Sequence, residues 1–387
     1  MKVISYGEII AQVKSNKELN CIAFARTPWH GTGVNASLKM LAEKIGKVNA
    51  VISVQPKNES SDETLLHIDD FNKTDKISFT VFIDGGPVFA DSIIGKIKQK
   101  YNYYSHYFSN NGCNRTVYII SPHCPARTFL AVASKELPDI RFVNIICDEG
   151  LASYMRTPFN WAVEQFVTTH SAKKFIRSLL TEIPNRICDK SLKKKGRYID
   201  FGIFTSDKSG KIIKSETAFP YYQSIIENEK QSGKDFSKYE NAVLFNMQLY
   251  HATGQLKNDA DIDLLKEICQ RLKQNGFPVI IKPHPRDTDI SRYNSLGVYV
   301  ENDYSISQEA ILASLVKKPK AVISFTSTSL LTSKLFFGVD SISLSNLIEN
   351  ENLSSSLKNE FYHFQKTFGS YVKSPSTKEA LFKTLNV

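Results

Sequence analysis

Apolar residues gather in short runs separated by turn-forming residues. The run Cys21-Ile22-Ala23-Phe24-Ala25 has the length of a buried strand and is too short for a buried helix. Residues 26–33, Arg-Thr-Pro-Trp-His-Gly-Thr-Gly, then read as a turn-rich loop. From residue 34 the pattern changes to helical spacing. Leu38, Leu41, Ala42 and Ile45 fall on one face, and Gly46 supplies a stop. The alternation continues with strand-like runs at 50–54 and 77–83, the second entering the turn Asp84-Gly85-Gly86-Pro87. A strand at 116–120, a loop at 121–125, a helix at 126–136 and a strand at 141–147 follow, the last ending in Asp148-Glu149-Gly150. Strands that alternate with helices predict a parallel sheet covered on both faces.

The rhythm breaks between about 170 and 240. Basic and polar residues dominate 173–197, one strand-like run stands alone at 198–204, and 206–215 is polar. This stretch is the expected inter-domain region. Alternation resumes with a strand at 242–247, the loop 248–258 and an amphipathic helix at 261–275 carrying Ile262, Leu265, Ile268, Cys269 and Leu272. A strand at 279–281 runs into Lys282-Pro283-His284-Pro285-Arg286-Asp287. A strand at 297–300, a helix at 306–314 and a strand at 320–324 come next. The loop Phe325-Thr326-Ser327-Thr328-Ser329 leads into a helix at 330–337, and a short strand lies at 341–344. The expected fold class is α/β, with two Rossmann-like domains facing a cleft, residues 1–190 and 191–387. One long doubly wound sheet is the alternative.

Composition adds little to this picture. With 387 residues, 42% of them apolar and 23% charged, the chain can bury two cores. No apolar run is long enough to span a bilayer. The first residues lack the apolar core and cleavage site of a signal peptide, so a cytoplasmic protein is expected. Six cysteines form no CxxC pair, which argues against structural zinc and for small buried side chains. The net charge of +10 changes the picture more, because it fits an acidic partner: a nucleic acid, an anionic membrane face or an anionic sugar. No nucleic-acid-binding motif is present and the basic residues are spread rather than striped, so nucleic acid is not an expected partner.

Chemistry concentrates at three strand ends. Ligands of open α/β sheets bind beyond the carboxyl ends of the strands. Glu149, or its neighbour Asp148, is the candidate general base. Gly150 lets a substrate approach the backbone. The alternative is that either carboxylate caps or pairs with the following segment. His284, held between two prolines and beside Lys282 and Arg286, is the candidate acid, a cation that could bind and protonate a departing phosphate. The alternative there is an ordinary turn. Thr326, Ser327, Thr328 and Ser329 at a helix start offer hydroxyls and free N–H groups to an anion, more than a cap needs. Arg26, Thr27, Trp29 and His30 form a candidate substrate loop, with Trp29 either stacking on a sugar or sitting in the core. His123 reads as structural. Asp259 and Asp261 read as capping residues, and no metal site is expected.

The ordered motifs Asp148-Glu149-Gly150, His284-Pro285 and Ser327-Thr328 resemble those of the bacterial GT-B sialyltransferases, including lipooligosaccharide sialyltransferases and capsular polysialyltransferases. The loop after Phe245, with Gln248, looks like the first strand–loop of that family's donor domain. The pattern departs at Thr328, where a second Ser is common, and at Leu151, where some members have a second Gly. The resemblance implies an inverting transfer of sialic acid from CMP-sialic acid to a hydroxyl of a cell-surface glycan, such as lipooligosaccharide, capsule or O-antigen. Glu149 would then be the base. His284 would assist the leaving phosphate. Lys282, Pro285, Arg286, residues 326–329 and Gln248 would hold CMP. No metal or other cofactor would be required, and contact with the inner membrane face is compatible with the charge. A CMP-Kdo transferase is the nearest rival. A basic nucleic-acid- or sugar-binding protein without catalysis is the rival of another class.

Overall fold

The computed structural model describes the chain apart from residues 57–62, 86–114, 134–135, 152–153, 155–170, 173–174, 177–186, 188, 207–210, 229–233, 288 and 304–305. Its described residues divide into two compact units. The first comprises 1–149, 180–205 and 213–225, the second 150–179, 206–212 and 226–387.

The first unit is built on a seven-stranded sheet in the order β1-β4-β3-β2-β5-β6-β7, with every neighbouring pair parallel. Its strands are β1 (Val3–Ile4), β2 (Cys21–Ala25), β3 (Val48–Val54), β4 (Ile77–Asp84), β5 (Arg115–Ser121), β6 (Ile140–Cys147) and β7 (Tyr198–Phe201). Helix α1 (Tyr6–Ser15), unforeseen from the sequence, opens with a capping box in which Ser5 and Glu8 satisfy each other's backbone. It lays Ile9, Ile10 and Val13 into a core shared with Phe24, Phe129 and Phe142. The strand-like run at 198–204 is not isolated. Its first four residues extend the sheet beside β6, and the chain leaves it at Gly202.

Helix α2 (Pro28–Ile45) begins six residues before the expected start. Thr27 caps it, and Pro28 occupies the first turn, where a missing N–H costs nothing. Gly31 and Gly33 are helical rather than loop residues because the helix lies close to its neighbours. A Cβ on Gly31 would stand 3.0 Å from Leu66. One on Gly33 would stand 2.9 Å from Tyr222 Oη and 3.1 Å from Cys147 Cβ. Helix α3 (His123–Ala133) and helix α4 (Phe219–Asn228) follow, with two short strands, β8 (Phe204–Ser206) and β9 (Ile212–Lys214), between β7 and α4. Gly86 and Pro87 of the expected turn, and Cys113 and Cys188, lie outside the described residues, as does the side chain of His123. Cys21, Cys147 and Cys269 are free and buried, as their apolar surroundings predict.

The second unit has a five-stranded parallel sheet ordered β12-β11-β10-β13-β14. The strands are β10 (Val243–Asn246), β11 (Val279–Lys282), β12 (Tyr299–Val300), β13 (Ala321–Ser324) and β14 (Ser341–Ser343). Helix α5 (Ala260–Gln274) buries the predicted face, Ile262, Leu265, Ile268, Cys269 and Leu272. Of its opening aspartates, Asp261 takes hydrogen bonds from the first-turn backbone at Asp261 and Ile262. Asp259 makes no capping bond. Arg292 donates to Asp259 and Asp261 at 3.0 and 2.8 Å. Helices α6 (Gln308–Ser314) and α7 (Thr328–Phe337) follow. Two unforeseen helices, α8 (Ser355–Phe368) and α9 (Lys378–Leu385), add Phe361, Phe382 and Leu385 to the core. No helix among the described residues is long and apolar enough to cross a membrane.

Candidate active site

The acidic pair leaves the carboxyl end of β6, and its two carboxylates have different surroundings. Asp148 is buried. Its Oδ1 accepts the Trp29 indole N–H at 3.0 Å and its Oδ2 the Ile203 N–H at 3.1 Å. Its own N–H donates to the buried Tyr222 hydroxyl at 2.9 Å. Three chain segments thus converge on one residue and fix the strand tip. Glu149 is exposed. The half-buried Trp29 is turned toward Asp148 and packs 5.5 Å from the Tyr222 ring, a structural use of the indole.

Thr27 accepts the His30 N–H as helix cap. His30 is buried and hydrogen-bonds to the Glu149 backbone, while its Nδ1 lacks a partner among the described residues. Burial pushes its pKa down to about 4, against the raising effect of that hydrogen bond and with help from the Arg26 charge. The ring is therefore neutral at pH 7 and supports the strand tip from the helix side. Arg26 is half-buried at the end of β2.

In the second unit, the carboxyl ends of β11, β10 and β13 lie side by side, with Asn246 in register with Lys282 and Phe245 with Ile323. The chain winds outward from β10 through β11 to β12 and then crosses back to β13 on the other side of β10, so the carboxyl ends of β10 and β13 form a topological switch point. His284 stands on the loop after β11. Its Nδ1 accepts the Arg286 N–H at 3.1 Å, which leaves the proton on Nε2. Burial, then the Arg286 charge, lower its pKa to about 4, with Asp287 opposing. The expected imidazolium is accordingly a neutral imidazole in the unliganded protein, and what it offers an anion is an N–H. Lys282 differs from expectation as well. Its Nζ donates to the carbonyls of Asp303 and Ile306 at 3.4 and 3.2 Å, and burial lowers its pKa. It ties the end of β11 to the segment after β12 rather than pointing a charge outward. Arg286 is exposed, and Pro285 and Gln248 are half-buried.

The hydroxyl cluster after β13 is narrower than four in a row suggested. Thr326 is buried and donates to Glu360 at 2.7 Å, with the Tyr250 hydroxyl bonded to the same pair. Its side chain is spent on the core. Ser327 caps α7, accepts the Ser329 N–H at 3.3 Å, and its Oγ lies 2.8 Å from Ser329 Oγ. Asn246 Nδ2 donates to Ser329 Oγ at 2.7 Å. A relay runs from Asn246 through Ser329 to Ser327, in which either serine oxygen can be the donor, at a helix terminus that favours negative charge. Asn246 was not foreseen. The signal was present as a polar residue closing an apolar strand. The Thr328 hydroxyl accepts the Leu151 N–H at 3.3 Å, and Gly150, at φ +107°, lies against it.

The two neutral histidines make stability depend on pH. An unfolded histidine titrates near 6.5. Between pH 6.5 and 4 the unfolded chain binds more protons, so stability falls as pH falls. For the buried His30 the loss reaches on the order of 3 kcal/mol by pH 4, and it is smaller for the more accessible His284. Denaturant midpoints measured from pH 7 to 4.5 are expected to fall steadily, with a shallower fall in His30→Gln. Flat midpoints over that range would contradict these environments.

Among known sequences and structures, the alpha-2,8-polysialyltransferase (POLYST) family model matches residues 22–346, from the second strand to beyond the last. No curated protein matches the chain. Similar solved structures include UDP-GlcNAc 2-epimerase of Methanocaldococcus jannaschii, 12% identical over 95% of this chain and 91% of that one, with a TM-score of 0.43. The GT-B domain of a sialyltransferase from Photobacterium damselae is 11% identical over 92% and 99%, with a TM-score of 0.39. MurG of Acinetobacter baumannii is 12% identical over 95% and 91%, with a TM-score of 0.40. The family match spans both units, including all three motifs singled out in the sequence: the chain belongs to the alpha-2,8-polysialyltransferase family and is a glycosyltransferase of the sialyltransferase class.

Proposed function

We propose that the protein moves sialic acid from CMP-sialic acid to a hydroxyl of a cell-surface glycan, with inversion at the anomeric carbon. The observation that carries this reading is the edge of the second sheet. A proton-bearing imidazole and a relayed hydroxyl pair flank one strand there, a donor set suited to a monoanionic phosphodiester. Glu149 takes the acceptor proton as the hydroxyl attacks. Asp148 holds the tip that carries it, and so serves as a positioning residue. Ser327, Ser329 and the α7 terminus bind the CMP phosphate. His284 gives it a hydrogen bond through Nε2 as the glycosidic bond breaks. An anion beside that ring also raises its pKa, so the protonated ring gains population once a donor is bound.

A CMP leaving group carries less charge than a nucleoside diphosphate, so these donors can stabilise it without a metal ion. The net charge of +10 draws anionic donor and acceptor toward the protein, and a peripheral position at the inner membrane face fits the same charge. The test supplies CMP-sialic acid or CMP-Kdo with a sialylated acceptor, with and without EDTA. Transfer from CMP-sialic acid at an EDTA-insensitive rate is expected. Preference for CMP-Kdo, or loss of activity on chelation that added metal restores, would overturn the donor or the metal-free chemistry.

A further inference from the structure

We infer that Thr328 is a positioning residue for the catalytic base, coupling occupation of the phosphate site to the backbone that carries Glu149. The proposal rests on the reading of Glu149 as base and of the α7 terminus as phosphate site. Three observations within the second unit support it. Thr328 Oγ1 accepts the N–H of Leu151, two residues beyond Glu149, at 3.3 Å. Gly150 lies so close that a Cβ there would stand 2.8 Å from the same oxygen. Gly150 also has φ +107°, a conformation that favours glycine, so this close approach depends on that residue type.

A threonine hydroxyl has one proton to give and two lone pairs to accept with. Accepting from Leu151 uses a lone pair and leaves the proton for an acceptor. Thr328 is the first residue of α7, following the cap Ser327, where an anion would sit. One hydroxyl can therefore hold the segment after Glu149 and donate to the phosphate at the same time. Donor binding polarises the hydroxyl and strengthens its hold on Leu151, and the base is then set in place when a donor is present. The same contact explains why Gly follows the acidic pair.

The coupling separates Thr328 from a simple phosphate ligand. Loss of a ligand alone would weaken CMP binding and lower kcat/KM by the same factor while leaving kcat unchanged. Thr328→Val keeps the shape and removes the hydroxyl. It is expected to weaken CMP affinity about tenfold, as the loss of one hydrogen bond to a charged group, and to lower kcat for transfer at least about thirtyfold through misplacement of the base. Hydrogen exchange of the peptide spanning 148–151 gives a readout that needs no donor. Thr328→Val should expose one additional fast-exchanging amide, and Thr328→Ser should restore both protection and rate. Gly150→Ala, which displaces the hydroxyl from the other side, should reproduce the kcat loss. Unchanged exchange in Thr328→Val, or a loss of affinity with kcat unchanged, would overturn the coupling. If wild-type protein fails to use CMP-sialic acid, the donor assignment falls while the exchange result still decides the contact.

Discussion

Replacing Glu149 with Gln is expected to lower transfer about a thousandfold while leaving the unfolding midpoint and CMP affinity unchanged. The substitution keeps the shape of an exposed side chain and removes its capacity to take a proton. Exposed positions seldom shift stability by more than about 0.5 kcal/mol. The acidic limb of the pH–rate profile, which reports the carboxylate, should vanish in the variant. Asp148→Asn offers the contrast. Asp148 accepts one bond on each oxygen, from Trp29 and from Ile203. An amide presents N–H₂ to one of those donors, so the buried site loses about 1–3 kcal/mol along with rate. A variant that loses rate without stability marks the base, and one that loses both marks its support. If Asp148→Asn proved the silent change and Glu149→Gln the unstable one, the assignments would have to be exchanged.

The second large effect is expected at His284. His284→Ala should lower kcat about a hundredfold or more, as removal of one preorganised donor to a developing anion does elsewhere. Unlike Glu149→Gln, it should also weaken CMP binding, because the ring addresses the phosphate in both ground and transition states. Its Nδ1 is committed to the Arg286 N–H, so only Nε2–H is available to a ligand. Burial keeps the ring neutral down to a pKa of about 4 in the free protein. Deprotonation of an imidazolium should therefore be absent from the pH profile of kcat/KM near 6.5. Wild-type-like kcat and CMP affinity in His284→Ala would remove the residue from the mechanism.

Strand ends were the most legible part of the chain. Mostly apolar runs such as 142–147, broken by Asn144 alone, and 279–281 can bury themselves only in a two-sided sheet, and each ends in a polar motif at its carboxyl end. The start of α2 was hidden because Gly31 and Gly33 look like turn residues until Leu66, Tyr222 and Cys147 are known to leave no room for a Cβ. Helices α1 and α8 carry readable caps at Ser5 and Ser354, yet lie outside the strand–helix alternation of the apolar runs. The wiring of the polar residues was not legible at all. Asp148 meets Trp29 across 119 positions, and Thr326 meets Glu360 across 34. Residue type showed that hydroxyls and carboxylates were available. Only the tertiary structure showed that Thr326 and Asp148 spend theirs on support and that Asn246 orients the serines.

A base that activates an acceptor hydroxyl for direct attack permits one stereochemical outcome. Proton NMR of the glycan made by the wild-type protein from CMP-sialic acid tests this in a single sample. A newly formed linkage of opposite anomeric configuration to the donor, with one CMP released per sialyl residue added, is the predicted result. A product that retains the donor's configuration would contradict the mechanism, since it would require two displacements and a nucleophile in place of the base.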